Sequence, residues 1–144
     1  MSEMTFSGLC PDEDCPPEAA IPASAVYYRL LQTGELQPDA FRSYKEEGKT
    51  GDRPCLRCGV SVYRHKPTAQ KQLDNQKRNR SHVWENGRIA EGGLMPRHGV
   101  VAATFGGCAY RPNSRNKQKH HTWWFEGSLT PADRAGLFKL VQDD

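Results

Sequence analysis

Four cysteines are spaced as two pairs that could bind one metal ion. Cys55 and Cys58, in "CLRCGVSVY", are separated by two residues and followed by Gly59. This spacing lets both sulfurs face one ion, and the glycine permits a tight turn that aims backbone amides at them. Cys10 and Cys15 form a looser C-x4-C pair. Together the pairs predict a zinc site with four thiolate ligands, which would be structural because no coordination position stays open.

Other interpretations of the cysteines remain open. One pair could be reduced and inert, or Cys10 and Cys15 could form a disulfide in an oxidising compartment. His65, seven residues after Cys58, could replace one cysteine ligand. A redox motif is disfavoured because it follows a strand and opens a helix, whereas charged "GKTGDRP" precedes this pair and a β-like run follows it. Cys108, in "TFGGCAY", is expected to be a small buried residue.

The five histidines lie within or beside the basic middle of the chain, and histidine is the commonest general acid or base. In a strand formed by "HHTWWF", His120 and His121 point to opposite faces, so the two cannot easily serve one site. Trp123 and Phe125 share the face of His121, which predicts that His121 packs and that His120 is exposed. The H-x-T of this stretch resembles half of the two-histidine phosphoesterase signature, but the second half is absent, as are hydrolase elbows, P-loops and dinucleotide fingerprints. For an enzyme, the candidate acids or bases are His120, His82 and His98.

Charge is distributed unevenly along the chain. Residues 1–59 carry a net charge of −4, residues 60–121 carry +9 from 12 basic and 3 acidic side chains, and residues 122–144 carry −2. Lys and Arg neutralise phosphates, and aromatic rings such as Trp84 and Tyr110 can stack on exposed bases. The alternative is a solvated surface rich in Lys and Arg. The predicted polyanion-binding residues are Arg64, Lys66, Lys71, Lys77, Arg78, Arg80, Arg111, Arg115, Lys117 and Lys119.

The N-terminal part of the chain is predicted to be irregular and then helical. Residues 1–22 are rich in proline and acid and are expected to form an irregular arm. Residues 24–34 fit a short helix that ends at a glycine. Residues 37–48 fit a second helix, with Pro38 in its first turn.

The rest of the chain is predicted to be mainly β structure with a closing helix. A largely solvated helix is expected over 68–80, since Leu73 is its one large aliphatic residue. The clearest helix covers 130–142, where Thr130 and Asp133 form a capping box. Strands are expected at 59–63, 87–95, 99–105 and 120–125.

These elements predict one small α+β domain over residues 1–144, with N-terminal helices, a mainly antiparallel sheet and a C-terminal helix. Its parts would be the arm, a helical and cysteine-knuckle part over 24–58, and a basic sheet part over 59–144. Apolar residues make up 36% of the chain, and 13 glycines and 10 prolines indicate many turns. A core this thin often needs a staple such as a metal ion.

The sequence favours a cytoplasmic location. No run approaches the roughly 20 apolar residues of a membrane span, so no membrane partner is expected. The start, "MSEMTFSGLC", lacks the basic and apolar regions of a signal peptide.

The function predicted from these features is that of a zinc-stapled accessory protein that binds RNA, DNA or another polyanionic partner through its basic middle. One alternative is a small enzyme acting on a phosphate-bearing substrate with a histidine acid or base. A second alternative is a protein-interaction module that uses the acidic N-terminal half.

Overall fold

Two antiparallel sheets form most of the structure, a computed structural model that describes residues 20–43, 46–47, 59–103 and 120–142. The strands are β1 Ile21–Pro22, β2 Ala25–Leu31, β3 Val60–Val62, β4 Arg88–Leu94, β5 Gly99–Ala103, β6 His121–Phe125 and β7 Phe138–Leu140. The α-helices of the described part are α1 Lys66–Asn79, α2 Ser81–Trp84 and α3 Pro131–Ala135, and short 3₁₀ turns cover Pro38–Phe41 and Pro96–His98. The protein is therefore a small α+β domain, as the sequence predicts.

The strand pairings run in a circuit around the core. One sheet has the order β1-β5-β6-β3 and the other β2-β4-β7. Tyr28 of β2 and Tyr63, just after β3, exchange two backbone hydrogen bonds of 2.8 and 2.7 Å and so join the sheets. On the other side, β1 leads into β2 and β4 into β5 with only two and four residues between. Each of these two segments therefore contributes to both sheets, which positions residues from both around one interior.

The interior is filled by the inward side chains of both sheets. Trp123 is fully buried at its centre, and the cluster around it includes Tyr27, Val62, Leu94 and Phe138. A second cluster forms where α1 covers the outer face of β2 and β4; its buried members are Ala69, Leu73 and Ile89. The helix that the sequence predicts as largely solvated is thus confirmed as a helix, and its few apolar residues are the ones that anchor it.

The helix predicted over 24–34 is wrong, because Ala25–Leu31 form strand β2. All seven of these residues pair with β4, from Ala25 opposite Leu94 to Leu31 opposite Arg88. One face of β2 packs on the core, and α1 covers the other face at Tyr28 and Leu30, so apolar residues occur on both faces. The period-2 alternation that marks a half-buried strand is therefore missing from the sequence, and a helical spacing fits by coincidence.

The helix predicted over 37–48 is also wrong in its described part. Pro38 does open a turn, as expected, but the 3₁₀ helix ends at Phe41 and Arg42 is extended. Phe41 is fully buried against Phe138, with ring centroids 4.9 Å apart. Of the arm predicted over 1–22, residues 1–19 lie outside the described residues, and Ile21–Pro22 instead form β1.

The helix predicted over 130–142 begins correctly but is too long. Thr130 Oγ1 accepts from the Asp133 N–H at 3.1 Å, and the Thr130 N–H donates to Asp133 Oδ2 at 3.0 Å, which confirms the capping box. The helix ends at Ala135, because Phe138–Leu140 pair with β4 as strand β7. Sheet pairing by a buried phenylalanine therefore overrides the local helical preference.

Candidate functional site

At one end of the strand circuit the interior changes from apolar to polar. Val60 lies opposite Trp123 and Val62 lies opposite His121, and all four side chains are on the inner face. The next position on that face of β3 is Arg64, whose guanidinium carbon is 5.8 Å from the centre of the Tyr27 ring. The buried Tyr27, the half-buried His121 and the exposed Arg64 thus lie at this end of the core. Tyr27, Arg64 and His121 are called the polar cluster below.

Tyr27 is the buried aromatic residue against which the other two residues of the polar cluster pack. Its ring is 4% exposed and meets the His121 ring edge-on, with centroids 6.4 Å apart. Burial raises the pKa of the Tyr27 phenol, although Arg64 and a hydrogen bond with the Ser24 backbone act in the opposite direction. The phenol is therefore neutral at physiological pH and contributes shape rather than charge.

Arg64 supplies the positive charge of the cluster. Its one hydrogen bond to a described residue is a long contact of 3.5 Å from Nη1 to the Val26 carbonyl oxygen. Within the described ranges it forms no ion pair with a carboxylate. Its guanidinium rests on an aromatic face and keeps most of its donors unused.

His121 is held in its neutral form. Burial lowers the pKa of His121 to about 4, and the positive charges of Arg64 and His65 contribute in the same direction. Its Nδ1 is buried and has no hydrogen-bond partner among the described residues. A base with a pKa near 4 is weak at pH 7, since proton transfer works best when the pKa is close to the working pH. The polar cluster is therefore better suited to hold a ligand than to remove a proton.

The three histidines predicted as candidate acids or bases lie apart from this cluster. His98 is buried, and its Nδ1 accepts the Met95 N–H at 2.9 Å, while its carbonyl oxygen accepts the Trp123 indole N–H at 3.0 Å. Burial, assisted by Arg97, lowers the pKa of His98. It therefore serves as a cap for the turn between β4 and β5. His82 is exposed on the short helix α2.

His120 is buried, so the expectation that it is the exposed member of the pair is wrong. It is 8% exposed and meets the Tyr63 ring edge-on, with centroids 5.4 Å apart. The expectation that the neighbouring histidines face opposite sides is correct, and so is the packing of His121 beside the face that carries Trp123 and Phe125. His120, Thr122 and Trp124 are all buried, so the outer face of β6 is covered as well as the inner one. The sequence of a single strand does not show whether its second face is covered.

The basic residues of the first predicted cluster spread along α1 and its two ends. Lys71 and Arg78, seven residues apart, share the side of the helix opposite the buried Ala69 and Leu73. Arg64 and Lys66 lie at its start, and Lys77 and Arg80 at its end, where positive charge also favours the helix dipole. The predicted residues Arg111, Arg115, Lys117 and Lys119 lie outside the described residues.

The predicted zinc ligands Cys10, Cys15, Cys55 and Cys58 all lie outside the described residues, as does Cys108. In the ranges that are described, no group of three or more His, Cys, Asp and Glu side chains could hold a metal ion. The zinc site therefore stays a prediction from spacing.

An open depression of about 440 Å³ lies on the outer side of β2, β4 and β7. Its lining includes Val26, Gly93 and Leu137, and also Glu91, which faces Lys139 at 3.7 Å. None of the residues predicted to bind or catalyse lines it.

No family model, curated protein or solved structure matches this chain. Among the described helices, none has the length and apolar character needed to cross a membrane. The site must therefore be interpreted from its own chemistry.

Sequence reasoning missed Tyr27 as a site residue and assigned His121 to packing alone. The sequence signal for this site concerned Arg64 alone: in "VSVYRH", Val60, Val62 and Arg64 alternate on one face and the last member is charged. The positions of Tyr27 and His121 beside Arg64 became visible only once residues 25–31 were placed as the neighbouring strand.

Proposed function

We propose that the protein binds nucleic acid, or a polyanion of the same kind, through the exposed basic side of α1 and through Arg64 at its start. The observation that carries this proposal is a surface on which basic side chains outnumber carboxylates and form no ion pairs among the described residues. Such a surface attracts phosphates and gains free energy from the counterions that binding releases.

The charge balance of the α1 region supports this proposal. Residues 59–103 contain 8 basic and 3 acidic side chains. Of the acidic ones, Asp74 accepts a hydrogen bond from Gln70 at 2.9 Å and Glu91 faces Lys139. Within the described part of the chain, none of the six predicted binding residues forms an ion pair. The six are Arg64, Lys66, Lys71, Lys77, Arg78 and Arg80.

A zinc ion held by the four cysteines belongs to the same proposal. Cys55 and Cys58 come directly before β3, and β3 leads through Arg64 into α1. A closed thiolate site at that point would fix the start of the strand, and with it the position of the basic helix, since structural zinc contributes to folding directly.

An enzyme acting on a phosphate-bearing substrate is less well supported. His121 is the imidazole of the polar cluster, and its low pKa makes it a poor proton acceptor at pH 7. The proposal is therefore of a binding protein.

The test is a gel-shift titration of single-stranded and double-stranded RNA and DNA over a range of salt concentrations. The double variant Lys71→Gln/Arg78→Gln removes two charges from one side of α1. For duplex DNA we expect the slope of log affinity against log salt to become shallower by up to about two units, similarly for all sequences.

The matched control is Arg42→Gln/Lys139→Gln, which removes the same charge from side chains paired with Asp39 and Glu91. It should leave the slope near that of the unmodified protein. Absence of any retardation at low salt, for every probe, would contradict the proposal and leave a solvated surface as the better account.

A further inference from the structure

Building on the proposed function, we infer that the polar cluster of Tyr27, Arg64 and His121 is a binding site for one phosphate group of the ligand. Arg64 and His121 would donate to the phosphate oxygens, and Tyr27 would act as a positioning residue. The site lies at the start of α1, so a phosphate held there would align a strand along the basic side of that helix.

The charge of the cluster selects an anion. Arg64 lies two residues after the end of β3 and carries the positive charge, and His121 is placed on the same face by its pairing opposite Val62. In the described ranges, Arg64 forms no ion pair with a carboxylate. A metal cation would be repelled by this set of groups, whereas a planar guanidinium matches the oxygens of a phosphate.

The placement of Arg64 favours binding, because its side chain is partly preorganised. The guanidinium lies against the buried Tyr27 ring and touches the Val26 carbonyl oxygen. Tyr27 is itself fixed by β2 and by its contact with the His121 ring. Less conformational freedom is then lost when a ligand binds.

His121 can report on the ligand as well as contact it. A neutral imidazole carries one proton, and with Nδ1 buried and unpartnered the proton is better placed on Nε2, where it can be donated. A bound dianion would favour the charged imidazolium and so raise the pKa of His121 from its low value. Among the described residues, the titratable groups that act on His121 are Tyr27 from β2 and Arg64 and His65 after β3; its partner on β5 is Ala103, which is uncharged.

The test is an NMR titration that follows the imidazole signals of His121. Inorganic phosphate is added first, then an oligonucleotide with a 5′-terminal phosphate, then the same oligonucleotide without it. We expect saturable shifts with phosphate and an upward change in the pKa of His121. Arg64→Gln should weaken phosphate binding at least about tenfold while melting temperature stays close to that of the unmodified protein.

The matched control is Arg42→Gln, the same change at a surface arginine that pairs with Asp39 and lies outside both proposed binding surfaces, which should leave phosphate binding at His121 unchanged. A preference for the 5′-phosphorylated oligonucleotide would assign the site to a terminal phosphate, and equal shifts with both would assign it to the backbone. Either result supports the site. Unshifted His121 signals at saturating phosphate and oligonucleotide, or equal weakening by both variants, would overturn it.

The outcome is distinguishable from that of the proposed function. If oligonucleotides bind with steep salt dependence while His121 stays unperturbed, the proposed function stands and this site is wrong. If phosphate shifts His121 but no nucleic acid binds, the site stands and serves a small phosphorylated ligand instead.

Discussion

Arg134 and Glu46 form a two-pronged ion pair that ties the C-terminal helix α3 to the segment after the first 3₁₀ turn. Arg134 Nη1 and Nη2 donate to Glu46 Oε1 and Oε2 at 2.7 and 2.8 Å, and the guanidinium stacks on Phe125 at 3.4 Å. The same group donates to the carbonyl oxygens of Phe41 and Leu129 at 2.6 and 3.1 Å. Burial opposes ionisation of Glu46, but hydrogen bonds from Arg134 and Ser43 outweigh it and lower the pKa of this carboxyl.

Replacing Arg134 should destabilise the fold more than replacing an exposed arginine. Arg134 is 2% exposed, so Arg134→Met would leave two carbonyl oxygens without this donor and the Glu46 carboxylate without its ion-pair partner, at a cost of about 3 kcal/mol. The control is Arg42→Met, since Arg42 pairs with Asp39 on the surface and should cost less than about 0.5 kcal/mol. Urea unfolding measures both, and equal losses would contradict the role assigned to Arg134.

Acidification should destabilise the protein through His121 at a pH where most carboxylates are still ionised. The pKa of His121 is about 4 in the folded protein, below its ordinary 6.5, so the unfolded state binds the proton more tightly. This contribution is therefore fully present above pH 6.5 and is lost as the pH falls to about 4, a change of roughly 1–2 kcal/mol for a group that is partly screened by solvent. The pKa of His98 is also lowered in the folded protein, so protonation of His98 likewise favours the unfolded state.

The measurement for His121 is the free energy of unfolding at several pH values between 4 and 7. His121→Gln should flatten the dependence on pH, whatever it does to stability at pH 7. The exposed His82 provides the control, because His82→Gln should keep the slope of the unmodified protein. A slope that survives in His121→Gln would show that another group carries it.

Two glycines of the β4–β5 segment should respond differently to alanine. Gly99 has φ of 132°, and a Cβ there would lie 2.2 Å from the Trp124 carbonyl oxygen. Gly99→Ala should therefore cost about 2 kcal/mol or more. Gly93 has no such strain, since a Cβ there would meet no described atom within 4 Å, and Gly93→Ala should be neutral or stabilise by up to about 1 kcal/mol. Thermal unfolding of the two variants compares them directly.

The purified protein should carry about one zinc ion per chain if the cysteine spacing has been interpreted correctly. Cys55→Ser or Cys58→Ser should remove the metal and lower the melting temperature, because structural zinc contributes free energy to folding. Cys108→Ser should keep the zinc. Elemental analysis that finds no metal in protein prepared without chelators would refute the site.

The sequence by itself determined the elements whose local signals are strong. β3, β4, β5 and β6 each lie within a predicted strand, and α1 coincides with its predicted helix to within two residues. The capping box at Thr130 marks the start of α3 correctly. Each of these signals is local: a capping box involves residues within one helical turn, and an apolar pattern reflects which face of one element is buried. Such elements can therefore be predicted without knowing their neighbours.

Tertiary structure decided the elements whose conformation depends on pairing with a strand distant in the sequence, which are β2 and β7. Residues 25–31 form a strand because β4 offers hydrogen-bond partners to all seven of them. Phe138–Leu140 are extended rather than helical because they pair with the other edge of β4. The polar cluster also depends on long-range pairing: Arg64 follows β3, which pairs with β6 and so with His121, and Tyr27 joins them because Tyr28 of β2 forms a bridge with Tyr63. In the polar cluster, Tyr27 and His121 are in contact although they are nearly 100 positions apart in the chain. Patterns within a single element cannot predict such a contact, because it depends on how distant strands pair.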